Sequence, residues 1–296
     1  MSTLADIITE IESRYDPAWA ESWDAVGLVC GDPAQPVRRI LFAVDPVTAV
    51  ADEALAWGAD LIVTHHPLYL RGTTSVAATT FKGRLVHTLI KNDIALYTAH
   101  TNADVADPGV SDALARAVGL TGPLVPLSPA AADPRRGLGR VGSLPEPMPL
   151  RDFVRQAARG LPRTAGGLRV AGDLDREVRR VAVSGGAGDS LLGTARAAGV
   201  DVFLTADLRH HPASEFAEAS RFPETSRFPD APRDGGDPGG PALVDAAHWA
   251  TEWPWLADAA RLLTSGLAAK GINVEARVSE TVTDAWITTA ECEESS

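Results

Sequence analysis

Short apolar runs alternate with stretches of helical period along most of this chain, and the alternation predicts a series of strands and helices. Thr3-x-x-Asp6 opens a stretch with Leu4, Ile7, Ile8 and Ile11 on one face, an amphipathic first helix that ends by Asp16-Pro17. Trp23 to Gly31 reads as a turn entering a short strand, and Arg39 to Val44 as a second strand. Thr48 is placed to cap a helix through Trp57, with Gly58 as its stop. Leu61-Ile62-Val63, bounded by Asp60 and Thr64, is then a buried strand that Pro67 must follow rather than interrupt. Strand, helix, glycine stop and strand make a βαβ unit, whose crossover implies parallel pairing. A helix over Lys82 to Lys91, a strand over Ile94 to Thr98 and a helix over Ser111 to Val118 complete this half.

From 121 to about 180 the text is looser and rich in Pro, Gly and Arg, and Gly137-Leu138-Gly139-Arg140-Val141-Gly142 reads there as a turn. The pattern then repeats. Arg180 to Ser184 is a strand, Gly188 to Ala198 a helix stopped by Gly199, and Val200 to Thr205 a strand. Ala59 to Thr64 matches the second of these strands in both its Asp and its Thr, and each strand is followed by His-His-Pro: His65-His66-Pro67 and His210-His211-Pro212. Leu96 to His100 pairs in the same way with Val244 to His248, and four residues beyond each final histidine stands a carboxylate, Asp104 or Glu252. The expected organisation is α/β, with two pseudo-repeated lobes (1–125 and 126–296) around a shared site. Residues 220–240, with a tandem Ser-Arg-Phe-Pro and neither period, read as a mobile surface insertion. A helix around Trp255 to Leu267, a strand at Ile272 to Val278 and a frayed acidic tail close the chain.

Composition narrows the chemistry. With 27 basic and 39 acidic residues the net charge is −12, against the basic face a nucleic-acid partner needs. Two cysteines, Cys30 and Cys292, offer neither a disulfide framework nor a thiolate metal site. The N-terminus has no basic n-region or cleavage site and no run is long enough to span a membrane, so a cytoplasmic protein is expected.

Six of the seven histidines fall near predicted strand ends, where open α/β sheets seat ligands; His87, mid-helix, does not. One strand-end histidine is ordinarily structural, but the recurrence in both halves makes a metal site of His65, His66, His100, Asp104, His211, His248 and Glu252. These donors exceed the needs of one tetrahedral ion and suit two cations about 3.5–4 Å apart. Glu252 or Asp104 would bridge them. Nitrogen and oxygen donors without sulfur fit two divalent cations, Zn, Mn, Fe, Co or Ni. A water held between two such ions would ionise near neutrality and serve as the nucleophile. Lys82, Arg71 and Arg209 lie near the site in sequence and could hold a substrate phosphate, though solvated charge is the better reading, and Trp249, Trp253 and Trp255 read as packing or a stacking platform.

The same residues carry a family resemblance. Trp23-Asp24-x-Val26-Gly27-Leu28, Asp45-x-x-Thr48, His65-His66-Pro67, His100-Thr101-Asn102-x-Asp104, Asp201 to His211 and His248-x-x-x-Glu252 resemble the NIF3 family, whose bacterial members are labelled GTP cyclohydrolase type 2 homologues or dinuclear-metal-centre hexameric proteins. The resemblance covers most of the chain and implies a two-lobed α/β fold, a toroidal homohexamer and two divalent cations. It implies His65, His66, Asp104, His248 and Glu252 as the metal ligands, with His100 and His211 beside them. Ala25, Ala206 and Ala247 depart from the family pattern without removing a ligand. The activity implied is metal-dependent hydrolysis of a nucleotide, with ring-opening of GTP in view. The alternatives are a non-catalytic metal-binding or regulatory hexamer and a two-metal phosphoesterase.

Overall fold

Thr3 and Asp6 start the first helix by satisfying each other's backbone. The Thr3 hydroxyl accepts from Asp6 N at 3.3 Å, and the Asp6 carboxylate accepts from Thr3 N at 2.8 Å. The helix, α1 (Leu4–Glu12), buries Leu4, Ile7 and Ile11 as its period predicts. In this computed structural model, which describes residues 2–221 and 240–290, the chain continues through β1 (Gly27–Cys30), β2 (Arg39–Ala43) and α2 (Thr48–Trp57). Val47, not Thr48, stands at the N-cap of α2, which has no side-chain cap; Gly58 closes it in the left-handed conformation, φ 71°. Next come β3 (Leu61–Thr64), α3 (Phe81–Lys91), β4 (Ala95–Thr98) and the single turn α4 (Thr101–Val105).

Helix α5 (Val110–Ala117) leads into a region that is far more ordered than its composition suggests. Residues 121–180, expected to be loose, form β5 (Thr121–Ala130), β6 (Asp133–Pro149), α6 (Leu150–Gly160), β7 (Arg169–Ala171) and the start of β8 (Glu177–Ala187). The reading failed because Pro is tolerated at sheet edges and at bulges, such as the register shift between Ser143 and Met148 where Pro145 and Pro147 of β6 fall. β5 is an edge strand, so its three prolines are tolerated. The expected turn at 137–142 lies inside β6, where Gly137 packs so closely that a Cβ there would sit 2.2 Å from the Ser128 carbonyl oxygen. A short 3-10 turn then runs into α7 (Leu192–Ala197), followed by β9 (Val202–Ala206), α8 (His210–Arg221) and β10 (Ala242–Ala246). The insertion read at 220–240 falls almost wholly outside the described residues, as does the acidic tail from 291.

Helix α9 (His248–Ala269) begins several residues earlier than its apolar period suggests and contains Pro254; β11 (Glu275–Val278) follows. Contacts divide the chain into two units: Met1–Val110 with Glu252–Thr283, and Ser111–Thr251 with Asp284–Ser296. The single cut expected near residue 125 is therefore replaced by an exchange of C-terminal segments. The cause is pairing: β11 lies parallel to β2, which returns the late chain to the first sheet.

In the first unit the sheet order is β1-β4-β3-β2-β11, parallel except for β1. Its core gathers Leu41, Ile62, Leu96, Leu85 and Leu89. In the second the order is β5-β6-β8-β9-β10-β7, with β8, β9 and β10 parallel. β3 and β9 are buried at every position. Each such Leu, Val or Phe gains roughly 1.5–3 kcal/mol from burial, so polar chemistry is confined to the strand ends. Among the described residues, no helix is long and apolar enough to cross a membrane.

Candidate metal centre

The two adjacent histidines are held by a ladder that outlasts its strands. Beyond β3, His65 N still donates to Ala43 O at 3.1 Å and His66 N to Val44 O at 2.9 Å. Thr64 Oγ1 closes the turn by donating to His66 O at 2.9 Å. At the end of the neighbouring β4, His100 N donates to the Asn102 side chain at 2.9 Å, and Asn102 in turn donates to Tyr15 O at 2.7 Å. This starts α4, which carries Asp104. Glu252 comes from α9, buried to 2 % exposure.

Within the first unit these side chains converge. Ring centroids are 5.2 Å apart for His65 and His66, 5.1 Å for His65 and His100, and 5.5 Å for His66 and His100. A ligand nitrogen from each of the three lies within 4.8 Å of the others. His65 Nε2 is 3.4 Å from Glu252 Oε1 and 3.7 Å from Asp104 Oδ1, and His66 Nε2 is 3.1 Å from Glu252 Oε2.

Every one of these imidazoles has its Nδ1 engaged by an oxygen. His65 Nδ1 donates to Ala99 O at 3.0 Å, His66 Nδ1 to Asp45 Oδ1 at 2.7 Å, and His100 Nδ1 to Asp24 Oδ1 at 2.8 Å. Carbonyls and ionised carboxylates only accept, so each ring keeps a proton on Nδ1, and Nε2 is the atom turned to the centre, able to bind a cation once its own proton is displaced. Asp24 is fixed further by Thr101 N at 3.0 Å and Ala25 N at 2.7 Å, and the Thr283 hydroxyl donates to Asp45. Such oxygen–imidazole pairs orient metal-ligating histidines in general.

The protonation balance records the same acidity. Burial works to lower the pKa of His66, but Glu252 and Asp45 outweigh it and raise it to about 11. His65 moves up likewise, since Glu252 and Asp104 overcome its burial. His100 moves down through burial and the neighbouring His65, against the pull of Asp24. His65 Nε2 is nevertheless buried without a hydrogen bond. Such an orphan costs roughly 1–3 kcal/mol, a cost that a bound cation would lift. Three imidazole nitrogens with two carboxylates and no thiolate fit a borderline divalent ion.

The remaining candidates divide. His248 opens α9 one turn before Glu252, so both project from one face of the same helix. Its Nδ1 donates to Asp207 Oδ2 at 2.7 Å, the arrangement seen for His66 and His100. Asp207 holds that position at φ 54°, a conformation that costs a non-glycine residue energy and clusters at functional sites. His210 and His211 do not reproduce His65 and His66. They lie exposed in the first turn of α8, separated from β9 by Asp207, Leu208 and Arg209. The tryptophans are packing elements: Trp255 is buried against Tyr15 and 5.4 Å from the His65 ring, Trp249 is buried, and Trp253 donates to Ser279 O at 2.9 Å. Arg209 pairs with Asp189.

Asp24, Asp45 and Asp207 were not singled out from sequence as partners of histidines. Asp24 and Asp45 lie in the motif segments, yet their partners stand 76 and 21 residues away, a pairing no spacing reveals.

Fold and site together define an α/β protein with an imidazole–carboxylate centre of the kind that can hold a metal ion. The family description Duf34/NIF3 (NGG1p interacting factor 3) matches residues 2–285, and the chain belongs to this family. It is 57% identical over 288 residues to a Streptomyces coelicolor protein named GTP cyclohydrolase 1 type 2 homolog, covering 97% of this chain and 94% of that one. A protein of the same name from Mycobacterium tuberculosis is 38% identical, with 96% of each chain covered. Among solved structures, a Bacillus cereus protein related to NIF3 superposes with a TM-score of 0.83 at 26% identity, covering 98% and 99% of the two chains.

Proposed function

We propose that this protein is a dinuclear-metal hydrolase acting on a nucleotide, with His65, His66, Asp104, His248 and Glu252 holding two divalent cations. The observation that supports it most is the wholly buried His65, whose Nε2 has no hydrogen bond although acidic oxygens stand at 3.4 and 3.7 Å. Bound cations would supply Lewis acidity and lower the pKa of water at the site. The chain's own contribution is orientation: Asp45, Asp24 and the Ala99 carbonyl keep the ring protons on Nδ1 and present Nε2. Glu252, whose two oxygens stand beside His65 and His66 Nε2, would hold a cation together with those rings. The name of the Streptomyces relative favours GTP as the first substrate to test. A cytoplasmic homohexamer is the assembly that goes with this reading.

The test is metal-reconstituted protein assayed with GTP and with simple phosphoesters, beside Glu252→Gln, with metal measured by elemental analysis. Turnover of GTP by the wild type and its loss in the variant are expected. Two metals per chain with no turnover of either substrate class would sink the hydrolase and leave a non-catalytic metal-binding protein. Turnover of phosphoesters alone would move the chain to the phosphoesterase reading.

A further inference from the structure

The second unit holds a cavity of about 360 Å³ at the carboxyl ends of the parallel strands β9 and β10. Ligands of α/β sheets seat at that end. Its wall includes Arg169, Asp207, Asp245, His248, Asp284 and Trp286. Most of these groups are already committed. Asp207 accepts from His248, while Asp245 accepts from Leu208 N with one oxygen and from Arg169 Nε, at 2.8 Å, with the other. Asp284 is different, because its Oδ2 is buried and has no hydrogen bond. Trp286 is different in the opposite sense, a large ring left 73% exposed at the same cavity. Gly166 and Gly167 leave a further part of the wall free of side chains.

An uncommitted buried acceptor calls for a donor from an incoming molecule. With Arg169 already neutralised by Asp245, a phosphate or carboxylate would meet unfavourable charge at Asp284. A flat ring with neighbouring N–H groups meets neither difficulty: its edge matches a carboxylate, and its face matches the indole. We infer that this cavity is a subsite for a nitrogen heterocycle with a two-donor edge, of the guanine or 2-aminopyrimidine kind. Trp286 stacks on the ring and Asp284 accepts from its edge. The inference rests on the nucleotide reading above and adds which part of the substrate is recognised and by which residues.

Guanosine and inosine, which lacks the amino group, are titrated calorimetrically into the full chain, both metal-free and metal-loaded. The same titrations are made with Trp286→Ala and Asp284→Ala. Guanosine is expected to bind at least about tenfold tighter than inosine, and Asp284→Ala to erase that difference. Trp286→Ala is expected to weaken both nucleosides about tenfold, as the loss of one stacking platform does. Metal content and melting temperature should be unchanged in both variants. Equal guanosine affinity in wild type and variants, or no binding at millimolar nucleoside, overturns the subsite. Failure of the wild type to take up metal overturns the metal centre instead, and the metal-free titration still judges the subsite.

Discussion

Asp60 and Asp201 make the same connections in two different sheets. Asp60 Oδ2 accepts from Arg38 N and Arg39 N at 2.7 and 2.9 Å, and Asp201 Oδ2 accepts from Arg179 N and Arg180 N at 2.8 and 2.7 Å. Asp60 O then receives Ala95 N, and Asp201 O receives Ala242 N, both at 2.9 Å. The preceding glycines, Gly58 and Gly199, end their helices at φ 71° and 62°. At their N-terminal edges the two repeats are one design. At the other edge they part. β3 delivers two histidines directly onto an extended ladder, whereas β9 turns at the strained Asp207 and carries His210 and His211 away into exposed helix. The repeat preserves what folds the sheet and diverges where chemistry is done, which is why a repeat in sequence overstates the likeness of the two sites.

The largest expected effect lies at the divergent edge. His66→Ala should abolish retention of metal after dialysis and leave a folded protein, since the ring is half-buried and its loss spares the apolar core. Undiminished metal by elemental analysis would remove His66 from the ligand set. Next come the residues that aim the rings. Asp45→Asn and Asp24→Asn should each weaken metal binding about 10–100-fold, read by competition with a chelating dye. If Asp207→Asn weakens it comparably, His248 belongs with His66 as a ligand; an unchanged affinity would separate the two edges completely.

The conserved design is tested by stability. Asp60→Ala and Asp201→Ala each remove two charge-assisted bonds at a half-exposed position and should each cost about 2 kcal/mol, seen in denaturant midpoints. Unequal losses would show that the repeat is geometric without being energetic. The smallest effect concerns pH. Burial pushes the Glu10 carboxyl up, but Lys270 at 2.7 Å and Arg14 at 2.8 Å prevail and hold it below its usual 4.5. The unfolded chain then binds the proton more readily, so stability rises with pH across that window. Glu10 therefore contributes above about 4.5, and its contribution fades as the pH falls through the folded value. Glu10→Gln should flatten the acid limb of the stability curve, and an unaltered limb would mean that other carboxylates govern it.

Much of this is legible in the chain itself. Apolar runs, helical period, glycine stops and the paired Asp and Thr of the two strands locate β2, α2, β3, α3, β4, β8 and β9, because local propensity and burial act there in the same direction. The histidines at 65 and 66, with His100, Asp104 and Glu252, were recognisable because strand ends are where buried sheets leave room for polar groups. What the text of residues 121–180 hid was the edge strands β5 and β7 and the interior strand β6, whose Pro145 and Pro147 fall where its register with β8 shifts; Pro and Gly signal loops unless something outside the segment supplies an edge or a bulge.

Tertiary structure alone decided the rest. Parallel pairing of β11 with β2 brought Glu252–Thr283 back to the first unit, and with it the carboxylate facing His65 and His66. The same folding brought Asp24 to His100 and Asp45 to His66. The order of residues specifies which groups are available at each strand end. Their meeting depends on register and crossover, which are set by the burial of whole faces and not by any residue at the site.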